Sequence, residues 1–238
     1  MRIIQLSDSH LSCDKPTRIE ELEACVRHIN AMRPQPDVVV HTGDIAHDGL
    51  VDEYVIARHS LDQLAAPYFV LPGNRDDRGN LVKVFADNRS IRSDAEFVQY
   101  VVEDFDIRLI MIDTVSTESN KGHLCGKRLN HIEQMLMADA SQSAVLFLHH
   151  PPFQVDVGPD PYNFEDWSDV EALMALCQRR DRLVGFHCGH VHRTFETSIR
   201  SAPASVVSSV ASDLRWDSPN GPNSELPVFK LHSISTEP

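Results

Sequence analysis

The sequence predicts an α/β domain in which helices carry the chain across from one strand to the next. Short apolar runs alternate with longer amphipathic stretches through the first two thirds of the chain, the pattern of strands joined by crossover helices. The last third is rich in short β-type segments, and no internal repeat, low-complexity tract or composition break divides the 238 residues. A single domain over 1–238 is expected, with 42% hydrophobic residues to fill its core.

Each element has a local reason. RIIQLS (2–7) reads as a buried strand, and TRIEELEACVRHINAM (17–32) carries apolar residues at helical spacing, with acids early to suit the helix dipole. DVVVHT (37–42) is the next strand, 51–64 reads as helical, and PYFVLP (67–72) is a third strand. A helix is expected to start near Asn80, capped or supported by Asp76 and Asp77. FVQYVVE and IRLIMID within 97–113 read as a hairpin turning at Asp104 and Phe105. A helix over 127–139, a strand AVLFLHH (144–150), a helix near 168–180 and a strand LVGFHCG (183–189) follow, then β-rich segments to about 233. The stretches 154–166 and 215–227, dense in Pro, Asn and Asp, read as loops suited to a substrate-facing lid or an oligomer contact.

A formal charge of −13 argues against a nucleic-acid polymer or an anionic membrane surface as partner, since both reward clustered Lys and Arg. The five cysteines, odd in number and without a Cys-x-x-Cys pair, fit a reducing compartment, with the cytoplasm as the expected location. No apolar run is long enough for a membrane span.

Five predicted strands end in polar clusters: Asp8 and His10, Gly43 and Asp44, Gly73 and Asn74, His149 and His150, and Gly189, His190 and His192. Taken singly, each has an ordinary explanation: a cap, a turn glycine, a turn asparagine, a surface or core histidine. Ligands of open α/β sheets gather beyond the carboxyl ends of the strands, so five such ends can aim at one point. Carboxylate, imidazole and amide oxygen without thiolate suit Mn²⁺, Fe²⁺, Co²⁺ or Zn²⁺, and this many donors imply two ions. Only Asp8 and Asp44 bring negative charge, which leaves the cluster a formal positive surplus able to attract a phosphate in an acidic chain.

The series D8-x-H10, G43-D44, G73-N74, H149 and G189-H190-x-H192 resembles the calcineurin-like metallophosphoesterases, in particular the class III cyclic-nucleotide phosphodiesterase and glycerophosphodiesterase branch. The resemblance spans residues 8–192 and implies a four-layer αββα sandwich with two central mixed sheets. It also implies one divalent ion on Asp8, His10 and His192, a second on Asn74, His149 and His190, and Asp44 bridging the two. The implied reaction is hydrolysis of a small phosphodiester, foremost a 3′,5′- or 2′,3′-cyclic nucleotide, by in-line attack of a metal-bound hydroxide. A glycerophosphodiesterase or broad-specificity phosphoesterase is the alternative enzyme, and an inactive interaction scaffold of the same fold is the alternative of another class. Homo-oligomerisation is compatible with the sequence.

One position departs from the family pattern. Where the family has His after the motif Asn, this chain has Arg75. Guanidinium cannot act as a general acid near neutrality, but it can grip phosphoryl oxygens and stabilise developing charge. His47, three residues beyond Asp44, is the expected substitute as proton donor to the leaving oxygen, with His150 a weaker candidate because strand neighbours face opposite ways. Cys188 reads as a small buried residue, His41, His123 and His131 as histidines outside the site, and Phe153, Tyr162 and Trp167 as packing residues near it.

Overall fold

The computed structural model describes residues 1–87, 91, 96–156, 161–215 and 228–235. β1 (Arg2–Leu6) sits between two neighbours, pairing parallel with β2 (Val38–His41) and antiparallel with β10 (Lys230–Ser233). β3 (Tyr68–Val70) runs parallel to β2 and completes a four-stranded sheet in the order β10-β1-β2-β3. A six-stranded sheet, β4-β5-β6-β7-β9-β8, contains β4 (Tyr100–Val102), β5 (Arg108–Ile112), β6 (Ala144–Leu148), β7 (Leu183–Cys188), β8 (Phe195–Ile199) and β9 (Ala202–Val206). Its inner strands β5, β6, β7 and β9 run parallel, and antiparallel β4 and β8 close the two edges.

The alternation of side chains along the central strands builds the layers. Leu109 and Met111 of β5, with Val145 and Phe147 of β6, pack into one core with the four-stranded sheet and with α1 (Pro16–Ala31), α2 (Val51–Leu61) and α3 (Arg78–Phe85). Ile110 and Ile112, with Ala144, Leu146 and Leu148, face the other way into a core shared with α4 (Gly126–Met137) and α5 (Trp167–Gln178). A strand whose residues are buried on both faces reads as a continuous apolar run, as IRLIMI and AVLFL do. The result is the expected αββα sandwich with two mixed sheets.

Most predicted elements stand within a few residues of their expected bounds. α1 starts at Pro16, a residue that fits the first helical turn because it lacks an N–H to satisfy. Its first turn holds no acidic residue, so the dipole explanation fails. Glu21 is instead buried, and its carboxylate accepts hydrogen bonds from Ser212 N and the Ser212 hydroxyl. Asp77 caps α3 as expected, accepting from Asn80 N at 2.8 Å. α2 begins where the Glu53 carboxylate folds back to accept from Asp48 N and Leu50 N, both at 3.0 Å. Of the two expected loops, 157–160 within the first and 216–227 within the second lie outside the described residues.

Candidate metal centre

The parallel strands β1, β2 and β3 of one sheet and β6 and β7 of the other all end at the same rim, and there the polar clusters converge. The loops that follow are tied to one another by main-chain bonds: Asp8 N donates to Gly43 O and His10 N to Asp44 O, each at 2.9 Å. Ser209 Oγ donates to Asp8 O at 2.7 Å. These ties hold backbone that would otherwise relax. Asp8, His10, Asp44, His190 and His192 all have positive φ, between 43° and 76°. For residues with a Cβ this left-handed conformation costs of order 1–2 kcal/mol each, and such strain gathers at functional sites.

Gly43, at φ 95°, and Gly73 allow the β2 and β3 turns to touch: a Cβ on Gly73 would stand 2.3 Å from Asp44 Oδ1, and one on Gly43 would stand 2.6 Å from Gly73 N. The turn geometry therefore depends on the missing side chains as much as on those present.

Two groups of donor atoms result. In the first, His192 Nε2 lies 3.3 Å from Asp8 Oδ1 and 3.1 Å from His10 Nε2, and His10 Nε2 lies 3.4 Å from Asp44 Oδ2. In the second, Asn74 Oδ1 lies 3.1 Å from His149 Nε2 and 2.9 Å from His190 Nδ1, while Asp44 Oδ1 lies 3.5 Å from His149 Nε2. Asp44 thus turns one carboxylate oxygen toward each group. Asp8, His10, Asp44 and His149 are buried.

The tautomers follow from what the far ring nitrogens touch. His149 Nδ1 donates to Thr42 O at 2.8 Å and His192 Nδ1 donates to Leu214 O at 3.1 Å, because a carbonyl can only accept. The near nitrogens, both Nε2, then present lone pairs to oxygens that are also acceptors. Facing acceptors need a cation between them, and a set of imidazole, carboxylate and amide oxygen suits a divalent transition ion. This donor set fits the two ions expected from the sequence.

The electrostatics agree. Burial pulls His149 down, but the Asp44 carboxylate outweighs it and holds the ring up at about 9. His192 is likewise raised against burial by Asp8. Burial opposes ionisation of Asp8 and Asp44, yet His192 and His149 respectively keep both carboxyls below the usual carboxylate range. Burial lowers His10 to about 4 and His190 to about 3. A proton on His149 or His192 here serves as a substitute for cationic charge.

All seven expected ligand residues are brought together. His150 also lies beside His149 and His190, but both its nitrogens are engaged, Nε2 donating to Asn120 O at 3.1 Å and Nδ1 facing the Thr114 hydroxyl at 2.8 Å. That leaves it no lone pair for a metal and no proton for a leaving group. Arg75 is exposed, and its main-chain N–H donates to Asp44 Oδ1 at 2.7 Å. His47 is half-buried, its ring 5.9 Å from that of His10.

Other residues fall as the sequence suggests. Cys188 is buried, and that burial pushes its thiol well up. His41, His123 and His131 find partners elsewhere in Ser9, Asp169 and Gln99. Phe153 stacks on Phe195, and Tyr162 packs edge-on to Trp167.

Two supporting residues were not anticipated in detail. The Asp76 carboxylate accepts from Ile45 N, Ala46 N, Gly73 N and the Tyr54 hydroxyl, joining the β2 and β3 turns at 2.8–3.2 Å. Burial and the nearby Asp44 push it up to about 7, against the three main-chain donors. Arg18 reaches from α1 to the backbone of His10. A signal for it exists in the sequence: Arg18 falls in phase with Leu22, Cys25 and Ile29 on the apolar face of α1, where a charged residue requires partners.

Comparison with known proteins identifies the family and the fold. The model of the calcineurin-like phosphoesterase family matches residues 1–194. A probable glycerophosphodiester phosphodiesterase of Arcobacter nitrofigilis is 32% identical, the alignment covering 100% of this chain and 90% of that protein. A 3′,5′-cyclic adenosine monophosphate phosphodiesterase of Pseudomonas aeruginosa is 24% identical, over 82% of this chain and 70% of its own. Among solved structures, a dimetal phosphatase from Danio rerio superposes with a TM-score of 0.76 at 15% identity, covering 97% of this chain and 91% of that one.

Proposed function

Because this chain belongs to the calcineurin-like phosphoesterase family, we propose that it is a metal-dependent hydrolase of small phosphodiesters, a cyclic nucleotide or a glycerophosphodiester. The observation that carries the reading is the pair of donor groups joined by Asp44, each with an imidazole lone pair facing oxygen acceptors: His192 Nε2 toward Asp8, and His149 Nε2 toward Asn74 and Asp44. Asp8, His10 and His192 would hold one divalent ion, Asn74, His149 and His190 the other, and Asp44 would belong to both. Bound there, Mn²⁺, Fe²⁺, Co²⁺ or Zn²⁺ supplies an acidified water and Lewis-acid stabilisation of the phosphoryl oxygens.

The chain's own groups do the rest. Thr42 O and Leu214 O fix the tautomers of His149 and His192 and so aim their lone pairs into the centre. The main-chain N–H of Arg75 fixes one Asp44 oxygen, and its exposed guanidinium is free to swing onto a phosphoryl oxygen entering from solvent. His47, beside His10, supplies a hydrogen bond to the departing oxygen. The binding of a small diester, rather than a polymer, is supported by the −13 charge of the chain. No helix among the described residues is long and apolar enough to cross a membrane, and five free cysteines support a cytoplasmic location.

A substrate panel tests this: 3′,5′-cAMP, 2′,3′-cAMP, glycerophosphodiesters and phosphomonoesters with the metal-loaded protein. Turnover of at least one diester is expected, with the diester rate above that of any monoester. No turnover of any diester with Mn²⁺, Co²⁺, Zn²⁺ or Fe²⁺ would support the scaffold reading in its place. Arg75→Ala is expected to raise KM, and His47→Ala to lower kcat, more for an alkoxide than for a nitrophenolate leaving group.

A further inference from the structure

Arg18 is 3% exposed, and its guanidinium touches three parts of the site at once. Nε and Nη2 each donate to the Asp213 carboxylate at 2.9 Å, a bidentate pair. Nη1 donates to His10 O at 2.9 Å and faces His47 Nδ1 at 3.3 Å. Asp213 lies in a short 3-10 turn (Ser212–Leu214), whose Leu214 O receives the His192 Nδ1–H. Ser212 in the same turn is bound by Glu21, one helical turn beyond Arg18 on α1. One face of α1 therefore grips both the loop that carries His10 and the turn that orients His192.

Guanidinium has donors and no acceptor. The His47 nitrogen that faces it can only be the one bearing a lone pair. The proton of the neutral ring then belongs on Nε2, on the opposite edge of the imidazole. Resting on the phosphodiesterase reading above, we propose that Arg18 is a positioning residue: held rigid by Asp213, it sets His47 as the Nε2–H tautomer and so presents a hydrogen-bond donor to the substrate oxygens. This gives the chain a defined donor beside a position where Arg75 cannot protonate a leaving group. A Gln at position 18 could present either donor or acceptor to His47 and would lose the selection.

Two-bond nitrogen–proton correlation spectra of the imidazoles test the proposal in metal-free protein and again after Zn²⁺ loading, with His47→Ala assigning the signals. The expected result is an Nε2–H tautomer for His47 in the parent and a tautomer mixture in Arg18→Gln. Asp213→Asn, which loosens Arg18 without removing it, is expected to shift the mixture part of the way, and it serves as the reporter if Arg18→Gln does not fold. In turnover at saturating metal, Arg18→Gln is expected to lower kcat about 10-fold or more with little change in KM, and to cost clearly less in a His47→Ala background than in the parent. Arg18→Lys, which keeps a donor, should recover part of the rate. An unchanged His47 tautomer in both Arg18→Gln and Asp213→Asn, or losses that multiply in the double variant, would overturn the proposal. Should the protein turn over no diester, the phosphodiesterase reading falls, while the spectra still decide what Arg18 does to His47.

Discussion

His10 and His192 meet Nε2 to Nε2 at 3.1 Å, though they lie on loops of different sheets, with Asp8 and Asp44 oxygens within 3.4 Å of the pair. Two imidazole nitrogens at that separation can share at most one proton. With two buried carboxylates beside the pair, positive charge in the space that the four groups enclose offsets theirs.

Asp44 links this group to the one around Asn74, so its neutral isostere should weaken both. Asp44→Asn is expected to reduce metal affinity by more than about 100-fold, beyond the 10- to 100-fold range of supporting residues. Calorimetric titration of metal-free protein with Zn²⁺ measures it. A loss under tenfold would contradict the bridging role.

Gly73→Ala places a methyl group 2.3 Å from Asp44 Oδ1 and 2.4 Å from Asp44 N. The turn has to open and carry Asp44 with it, so metal affinity and turnover should both fall. Gly126→Ala is the control, since nothing lies within 4 Å of the added carbon at the start of α4. It should leave turnover unchanged and stabilise by up to about 1 kcal/mol.

Asp76→Ala leaves three main-chain N–H groups and the Tyr54 hydroxyl without their acceptor in a buried turn. Each abandoned donor costs about 1–3 kcal/mol, so urea unfolding should show a loss of at least about 3 kcal/mol. A loss below about 1 kcal/mol would mean that water replaces the carboxylate there.

His187 of β7 and His232 of β10 stack between the two sheets with centroids 3.6 Å apart. His187 Nδ1 faces the Ser205 hydroxyl at 2.9 Å, and His232 Nε2 donates to Gln5 Oε1 at 3.0 Å. Burial, with each other and Lys230 nearby, lowers His187 well below its ordinary value, and burial with Lys230 lowers His232 to about 3. Both shifts are downward, so the contribution of the neutral rings is complete above about pH 6.5 and is lost as pH falls, for His232 toward 3. For His232 the loss at pH 5 is about 2 kcal/mol, from protonation of the unfolded chain, and His187 adds in the same direction. Denaturant midpoints at pH 7 and 5 should therefore differ less in His232→Gln than in the parent, and an equal difference would contradict the inter-sheet role.

The elements were legible because their patterns are local. IRLIMI and AVLFL show a buried parallel strand, and Asp8, His10, Asp44, Asn74, His149, His190 and His192 each sit at the end of such a run, where chemistry gathers. What joins those ends was not legible. The contact of Arg18 with Asp213 spans 195 positions, and nothing near either residue announces the other. The Asp76 carboxylate read as a cap or supporting group, but its four donors come from a fold already assembled. Early acids in α1 suggested a dipole effect, whereas Glu21 is there to hold Ser212. Pairwise tertiary contacts leave no period in a sequence; a charged residue inside an apolar stripe, as at Arg18, is the trace they do leave.

The central claim is that the two donor groups sharing Asp44 hold two ions required for hydrolysis. Metal content and diester turnover, measured on the same samples during stepwise chelation and reloading, test it most directly. Turnover should vanish with the metal and return as about two equivalents bind per chain. Full turnover by protein with no bound metal would contradict it.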